Sequence, residues 1–337
     1  MKINFLLPHL KISGGIRISL NYADSLAARG YDVCVYVPEN SPRRYFKNLI
    51  KLRPDWFPDF RGKIKRISRV NEGSLRDADV LIADSWKMAD LAKALSLTKG
   101  KKFQFIQHDE RLYHGDPKSV EQVYHLPFKK IVVSTWLKNI LKDDFGADAS
   151  LLINSIDKKT FYFKKVEKNK NKTRILMLYH SYEWKGSREG VEIIQELKAR
   201  YPQVEMVLYG ARRKELDFEA EYHFNPPQEK LAEIFSSAEI LLCPSWDEGF
   251  GLPSVEAMNC KCALVTYNNG GSRDFAFDME TAMVAERRNK EELKNKLEKL
   301  IVDESLRRKI AGNGFEFVQK MPSLEEQTGL LEKILKS

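Results

Sequence analysis

Cysteine is scarce in this 337-residue chain: Cys34, Cys243, Cys260 and Cys262 are the whole set. Thiols so few and so scattered exclude a disulfide framework. Only Cys260 and Cys262 stand close together, and no companion Cys or His lies at ligand spacing, so all four read as reduced core residues. Long apolar runs are missing too. No stretch of eighteen apolar residues occurs, and the start MKINFLLPHL lacks the basic region, long apolar stretch and small-residue cleavage site of a secreted precursor. The expectation is a cytoplasmic protein. There is no Gly-x-Gly-x-x-Gly, which argues against a dinucleotide site of the dehydrogenase kind, and no 20- to 50-residue repeat or low-complexity tract.

What the chain does have is apolar material for more than one core, 43% of its residues, over a length that suits two domains. Its formal net charge of +9 favours anionic partners. Charge alone does not choose among nucleotide diphosphates, acidic membrane surfaces and nucleic acid.

The apolar pattern alternates between strand and helix. INFLL (Ile3 to Leu7) leads through PHLKISGG into a helical spacing of Ile16, Leu20, Ala23 and Leu26, then Gly30 and VCVYV, which is a β-α-β unit. VLIA from Val80, FQFIQ from Phe103 and IVVS from Ile131 continue the series, so a first doubly wound parallel domain is expected over residues 1–157. Residues 158–173 are polar, strongly charged and without core periodicity, and read as a linker. A second parallel α/β domain is expected over residues 174–321, from RILMLY through VEMVLYG, EILLCP and CALVT. Asn289 and Glu292 have capping-box spacing, and the segment 322–337 after the break at Pro322 is expected to return to the first domain.

One loop stands out. EILLCPSW has the composition of a buried strand and runs into DEGFGLP, with Pro253 placed to open the helix PSVEAMN. A loop at the carboxyl end of a parallel strand is where open α/β sheets bind ligands, and the amides of Phe250, Gly251 and Leu252 would point outward at the positive end of the helix dipole. Gly249 and Gly251 let a ligand approach the backbone. Glu248 would lie at the loop mouth. Glu256, one turn into the helix, would stay ionised and suit the two hydroxyls of a ribose, although a dipole-complementing role is the plain alternative.

EGFGLPSVEAMNCKCALVTYNNGGSRDF resembles the glutamate, seven residues, glutamate signature of the retaining GT-B glycosyltransferases, in particular family 4 of the sequence-based classification. HLKISGGIRISLNYADSLAARGYDV is similar to the family's N-terminal glycine loop, with Gly14 and Gly15; FIQHDE to its histidine after a strand, His108; INSIDKKTF to its inter-domain element; and YHSYEWKG to its basic phosphate-binding loop, with Lys185. The resemblance implies two facing Rossmann-like domains with a deep cleft between them. It also implies a nucleotide-diphosphate sugar held mainly by the C-terminal domain, an acceptor held mainly by the N-terminal one, retention at the anomeric carbon and no required metal or other cofactor.

In that reading Lys185 would stabilise charge on the leaving diphosphate, Glu248 would orient the sugar, and His108 and Gly15 would lie close to the reacting sugar and phosphate. His180 stands where the family usually has arginine, so Arg188, Arg212 or Arg213 is weighed as a substitute cation, with a solvated surface charge as the alternative for each. Asp274 in NNGGSRDF is matched to an acidic residue near the nucleotide.

A basic and aromatic stretch from Arg43 to Arg69 suits anionic lipid head groups or an acidic acceptor, with a solvated face as the bland alternative. It would place the protein peripherally on the inner face of the membrane. Nucleic acid is not expected, since no binding module accompanies the charge. Cell-surface polysaccharide or lipopolysaccharide assembly, with a glycan or lipid-linked acceptor, is the expected setting. A nucleotide-sugar epimerase or phosphorylase of the same architecture, or a non-catalytic sugar-nucleotide-binding module, stays open as an alternative.

Overall fold

The strand β1 (Lys2–Leu6), α1 (Gly14–Ala28) and β2 (Asp32–Pro38) form the opening β-α-β unit of a computed structural model that describes residues 1–39, 53–211 and 216–337. β3 (Lys63–Ile67), β4 (Val80–Asp84), α2 (Trp86–Ala92), β5 (Lys101–Ile106), α3 (Pro117–Tyr124), β6 (Lys129–Val132), α4 (Thr135–Phe145) and β7 (Ala149–Leu151) follow. All pair in parallel, in the order β3-β2-β1-β4-β5-β6-β7. Every residue of β4 is buried, as a strand covered on both faces requires. Local chemistry sets the ends of α4: Ser134 accepts from the amide of Leu137, and Gly146 closes the helix in the left-handed region at φ 59°.

The second sheet comprises β8 (Thr173–Leu178), β9 (Val204–Gly210), β10 (Glu221–Phe224), β11 (Ile240–Cys243), β12 (Ala263–Tyr267) and β13 (Met283–Ala285), ordered β10-β9-β8-β11-β12-β13 and again parallel. Its helices are α5 (Ser187–Arg200), α6 (Gln228–Ser237), α7 (Leu252–Asn259), α8 (Lys290–Val302) and α9 (Glu304–Lys320). Ile175, Met177, Leu208, Leu242, Val265, Leu293 and Leu297 meet in one core that α5, α8 and the sheet share.

Contacts divide the chain into one unit of residues 1–154 with 323–337 and another of residues 155–322. The closing helix α10 (Leu324–Lys336) packs on α1. Arg29 pairs with Glu332 at 3.1 Å, and Thr328 Oγ1 donates to Ser25 Oγ at 3.0 Å. Ser323 and Glu326 form a full capping box there. At Asn289 the expected box is half made: its side chain accepts from the Glu292 amide, while the Glu292 carboxylate turns to the amide of Glu286.

Residues 158–173 are not a free linker. Phe161 is fully buried against Phe235, its carbonyl accepts from Asn259 Nδ2, and Lys164 and Lys168 donate to the carbonyls of Glu229 and Ala238. The charged composition hid one apolar anchor and two lysines that donate to backbone carbonyls of α6, the Ala238 carbonyl being one the helix end leaves free. Phe161→Ala is expected to destabilise the second unit by about 3–5 kcal/mol, read as a lower denaturant midpoint for that unit's unfolding.

Candidate active site

Strand order decides which loops meet. In the second sheet the chain leaves β8 in one direction, and β11 returns on its other side, so the loops after β8 and β11 share the switch point where α/β sheets open a crevice. The loops are bound together along their length. Trp246 N donates to Trp184 O at 2.8 Å, and Gly186, at φ 63°, lies so close to Pro244 that a Cβ would fall 2.1 Å from its carbonyl oxygen. Between them Lys185 Nζ donates to Glu248 Oε1 at 2.6 Å. Both side chains are mostly buried, 20% and 15% exposed. A crevice lined by Lys185, Glu248, Gly251, Pro253, Ser254 and Tyr209 opens at this pair.

Gly251 precedes α7 at φ 104°, a conformation that suits glycine, and the helix begins at Leu252, one residue ahead of Pro253. The loop is braced from behind. Glu248 N donates to Asn269 O at 2.8 Å and Gly271 N to Glu248 O at 2.9 Å. Phe250 is 3% exposed and packs on Phe275, so its side chain belongs to the core and only its amide is left for a ligand. Gly249 and Leu252 are likewise buried, and Glu256 is 3% exposed on the first turns of α7.

His180 follows β8; its amide donates to Ser187 Oγ and its Nδ1 accepts from the Tyr182 amide, both within the Lys185 loop. Arg188 does not join this site. Its side chain is 93% exposed and pairs with Glu192 one turn along α5, the solvated alternative weighed above. Arg212 and Arg213 lie outside the described residues. Asp274 ends the short turn Gly271–Asp274 behind the loop and is half-buried. Sequence reasoning missed Asp247, which is buried and takes a bidentate ion pair from Arg287 at 2.6 and 2.9 Å, and Arg288, which covers the Trp246 ring at 4.0 Å. Partners forty residues apart leave no periodic signal.

The first unit carries the other predicted residues. Gly14 and Gly15 open α1, with Ser13 as cap. Gly15 O accepts from Gln107 Nε2 at 3.1 Å, and the same amide reaches Asp84 Oδ1 at 2.8 Å. Asp84 Oδ2 accepts from Ser19 Oγ at 2.9 Å. This network ties α1, β4 and the end of β5 together, again at a switch point, here between β1 and β4. Burial raises the Asp84 carboxyl to about 6 against the pull of those hydrogen bonds, and burial raises Glu110 to about 8, helped by Asp84 and Asp109. His108 follows β5 one residue after Gln107; its Nδ1 lies 3.0 Å from Asp109 O, and its ring meets His114 edge to face.

Of the basic stretch, Arg43, Arg44, Lys47 and Lys51 lie outside the described residues. Among its other members, Phe60 is fully buried and Arg66 pairs with Glu39, so neither is open to a surface partner. No helix among the described residues is long and apolar enough to cross a membrane. The buried Cys260 and Cys262 thiols are pushed upward by burial, and Cys262 donates to Phe235 O. An Asp-x-Asp stretch that sequence reading overlooked, Asp77-Ala78-Asp79, precedes β4 at the opposite edge of the sheet. There Lys99 and the Lys2 amide occupy its carboxylates. Among the described residues no three His, Cys, Asp or Glu side chains come together to hold a metal ion.

Residues 158–317 match the family model described as glycosyl transferases group 1. An uncharacterized glycosyltransferase of Haemophilus influenzae is 25% identical over 89% of this chain and 90% of its own length. The capsular polysaccharide biosynthesis glycosyltransferase CapM of Staphylococcus aureus is 28% identical over 40% of this chain and 38% of its own. Other matched relatives are spanned for 18% to 43% of their length. Among solved structures, Anabaena HepE in complex with UDP and glucose superposes with a TM-score of 0.80 at 16% identity, covering 100% of this chain and 99% of that one. A likeness at that identity establishes the fold, which is GT-B, with two Rossmann-like parallel-sheet domains.

Proposed function

We propose that this chain, whose residues 158–317 match the glycosyl transferases group 1 model, moves a sugar from a nucleotide-diphosphate donor to a hydroxyl of a glycan or lipid-linked glycan, with retention at the anomeric carbon. The observation that carries this reading is the Lys185–Glu248 contact at the mouth of the Gly251 loop. An ammonium has three donors, and one is spent on Glu248. The others are directed to the diphosphate, where they oppose charge as the glycosidic bond breaks. The amides of Phe250, Gly251 and Leu252 add the field of the α7 N-terminus.

Glu248, held by Lys185 and by backbone bonds on both sides, orients the sugar hydroxyls and does not act as a detachable nucleophile. The departing phosphate oxygen takes the acceptor proton on the face the bond leaves. Glu256 receives the ribose hydroxyls in a nearly dry position, where charge-assisted hydrogen bonds are strongest. No divalent ion is required, because Lys185 and the amides supply the positive field. Gly15 and His108 are assigned to the phosphate and sugar, and Asp274, at the back of the loop, to the nucleotide. CapM supports a setting in surface polysaccharide assembly.

Thermal stabilisation by UDP, GDP, ADP, TDP and CMP, each with and without EDTA, tests the donor assignment. One diphosphate is expected to stabilise the protein equally in both conditions, by about 2.7 kcal/mol at a hundredfold excess over its Kd, and Glu256→Ala is expected to remove the shift. No shift from any of them at millimolar concentration overturns the reading.

A further inference from the structure

Glycine at position 15 answers to a side chain of its own unit. A Cβ there would stand 3.3 Å from Gln107 Nε2 and 3.4 Å from its Cδ and Oε1, so the Gln107 amide fills the space a side chain would need. That amide nitrogen lies within hydrogen-bond distance of three acceptors: Asp84 Oδ1 at 2.8 Å, Gly15 O at 3.1 Å and Ser19 Oγ at 3.1 Å. Ser19 stands one turn along α1 from Gly15, and its hydroxyl donates to Asp84 Oδ2 at 2.9 Å. One carboxylate at the end of β4 thus fixes the start of α1 through one amide that follows β5.

The protons of this group close in one way only. Gln107 brings two N–H and Ser19 one O–H, and an ionised Asp84 supplies two oxygens that only accept. A proton on Oδ2 would donate to Ser19 Oγ and take away the acceptor of the Ser19 hydroxyl. On Oδ1 it would face a Gln107 N–H, and the amide would have to flip and turn its oxygen towards Gly15 O. Either change loosens the tie to Gly15.

Asp84 is 6% exposed, and burial raises its carboxyl to about 6 against the pull of Gln107 and Ser19. The charged groups around it are otherwise engaged. Glu110 accepts from the Trp86 amide and is raised to about 8, so it is already neutral where Asp84 titrates. Asp109 is paired with Arg111, which also holds Asp144, and Lys87 lies over the Trp86 ring. His108 turns its Nδ1 to Asp109 O. On α1 the charged residues are Arg17, two positions from Ser19 and so on another face, and Asp24, which is paired with Arg61.

We propose that Asp84, acting through Gln107, is a positioning residue for sugar transfer: ionised, it sets the Gly14–Gly15 turn, and its protonation releases that turn. The proposal rests on the transferase reading above, in which Gly15 serves the donor phosphate. Lys185, Glu256 and the Gly251 loop hold the nucleotide in the other unit, so the loss falls mainly on kcat and the affinity for the diphosphate stays.

Glycine-selective nitrogen-15 NMR of the full chain without ligand, from about pH 5 to 7.5, tests the tie itself. The Gly15 amide signal, assigned by its absence in Gly15→Ala, should move with one midpoint near 6 in wild type and in His108→Asn. It should stay still in Asp84→Asn, which carries the donor of the protonated acid at every pH, and lose most of its movement in Gln107→Leu. Kinetics with the nucleotide sugar whose diphosphate stabilises the protein give the second readout. On acidification over the same range kcat should fall about tenfold, the worth of one charge-assisted hydrogen bond, to the level of Asp84→Asn, whose own profile should be flat. A Gly15 signal that does not titrate in wild type, that titrates equally in Asp84→Asn, or whose midpoint vanishes with His108 overturns the proposal, as does an acid limb of kcat that survives in Gln107→Leu. A signal that titrates as expected in a protein that turns over no nucleotide sugar strikes instead at the transferase reading.

Discussion

Lys185→Ala is expected to lower kcat/KM for sugar transfer by about 100- to 1000-fold, the loss usual when one donor is removed from developing charge. The ammonium sits 2.6 Å from Glu248 and is 20% exposed, so water replaces it poorly and the electrostatic loss is not screened away. A second cause has to be separated from this one. Removing Lys185 also takes one ion-pair partner from Glu248, and a mostly buried carboxylate that has lost it could itself disturb the loop. The double variant Lys185→Ala, Glu248→Gln separates the two. If the loss came from stranded charge, the double variant would be as active as Glu248→Gln alone. The expected result is no recovery, because Lys185 acts on the diphosphate. Steady-state kinetics on Lys185→Ala, Glu248→Gln and the double variant, with melting temperatures alongside, decides it.

Gly271→Ala is the second large effect. A Cβ at this position would stand 2.4 Å from both Gly249 C and Phe250 N, backbone atoms that cannot swing aside as a side chain could. Gly271 also donates its amide to Glu248 O, so the methyl would push on the loop at the point where it is braced. Displacing positioned groups by an ångström costs on the order of 100-fold in rate, and the nucleotide-induced melting shift should shrink with it. Gly312→Ala is the control. It sits in α9, where a Cβ meets nothing within 4 Å, and should leave activity intact while gaining about 1 kcal/mol of helix propensity. Wild-type nucleotide binding by the Gly271 variant would show that the brace does not position the loop.

The features legible beforehand are those encoded within a few residues. EILLCPSWDEGFGLP states strand, loop and helix start within one stretch. The Lys185–Glu248 contact spans 63 residues, and only the winding order of the sheet brings it about; the two ends were legible singly, their contact was not. Asp84 and Ser19, 65 residues apart, and Asp247 and Arg287, 40 apart, had no local pattern to give them away. Polarity misled in both directions. Phe161 made an anchor of an apparent linker, and Arg188, attractive as a substitute cation by its nearness to Lys185 in the chain, faces water because α5 turns it outward.

The central claim is a transfer that keeps the anomeric configuration, and real-time proton NMR of the anomeric signals tests it most directly. The purified protein is given the nucleotide sugar whose diphosphate stabilises it, first alone and then with a neutral glycoside acceptor. The account predicts release of the nucleoside diphosphate together with a product whose first-formed anomer matches that of the donor, unaffected by EDTA. Inverted product, a changed sugar still attached to its nucleotide, or no turnover by a protein that binds the nucleotide would contradict it.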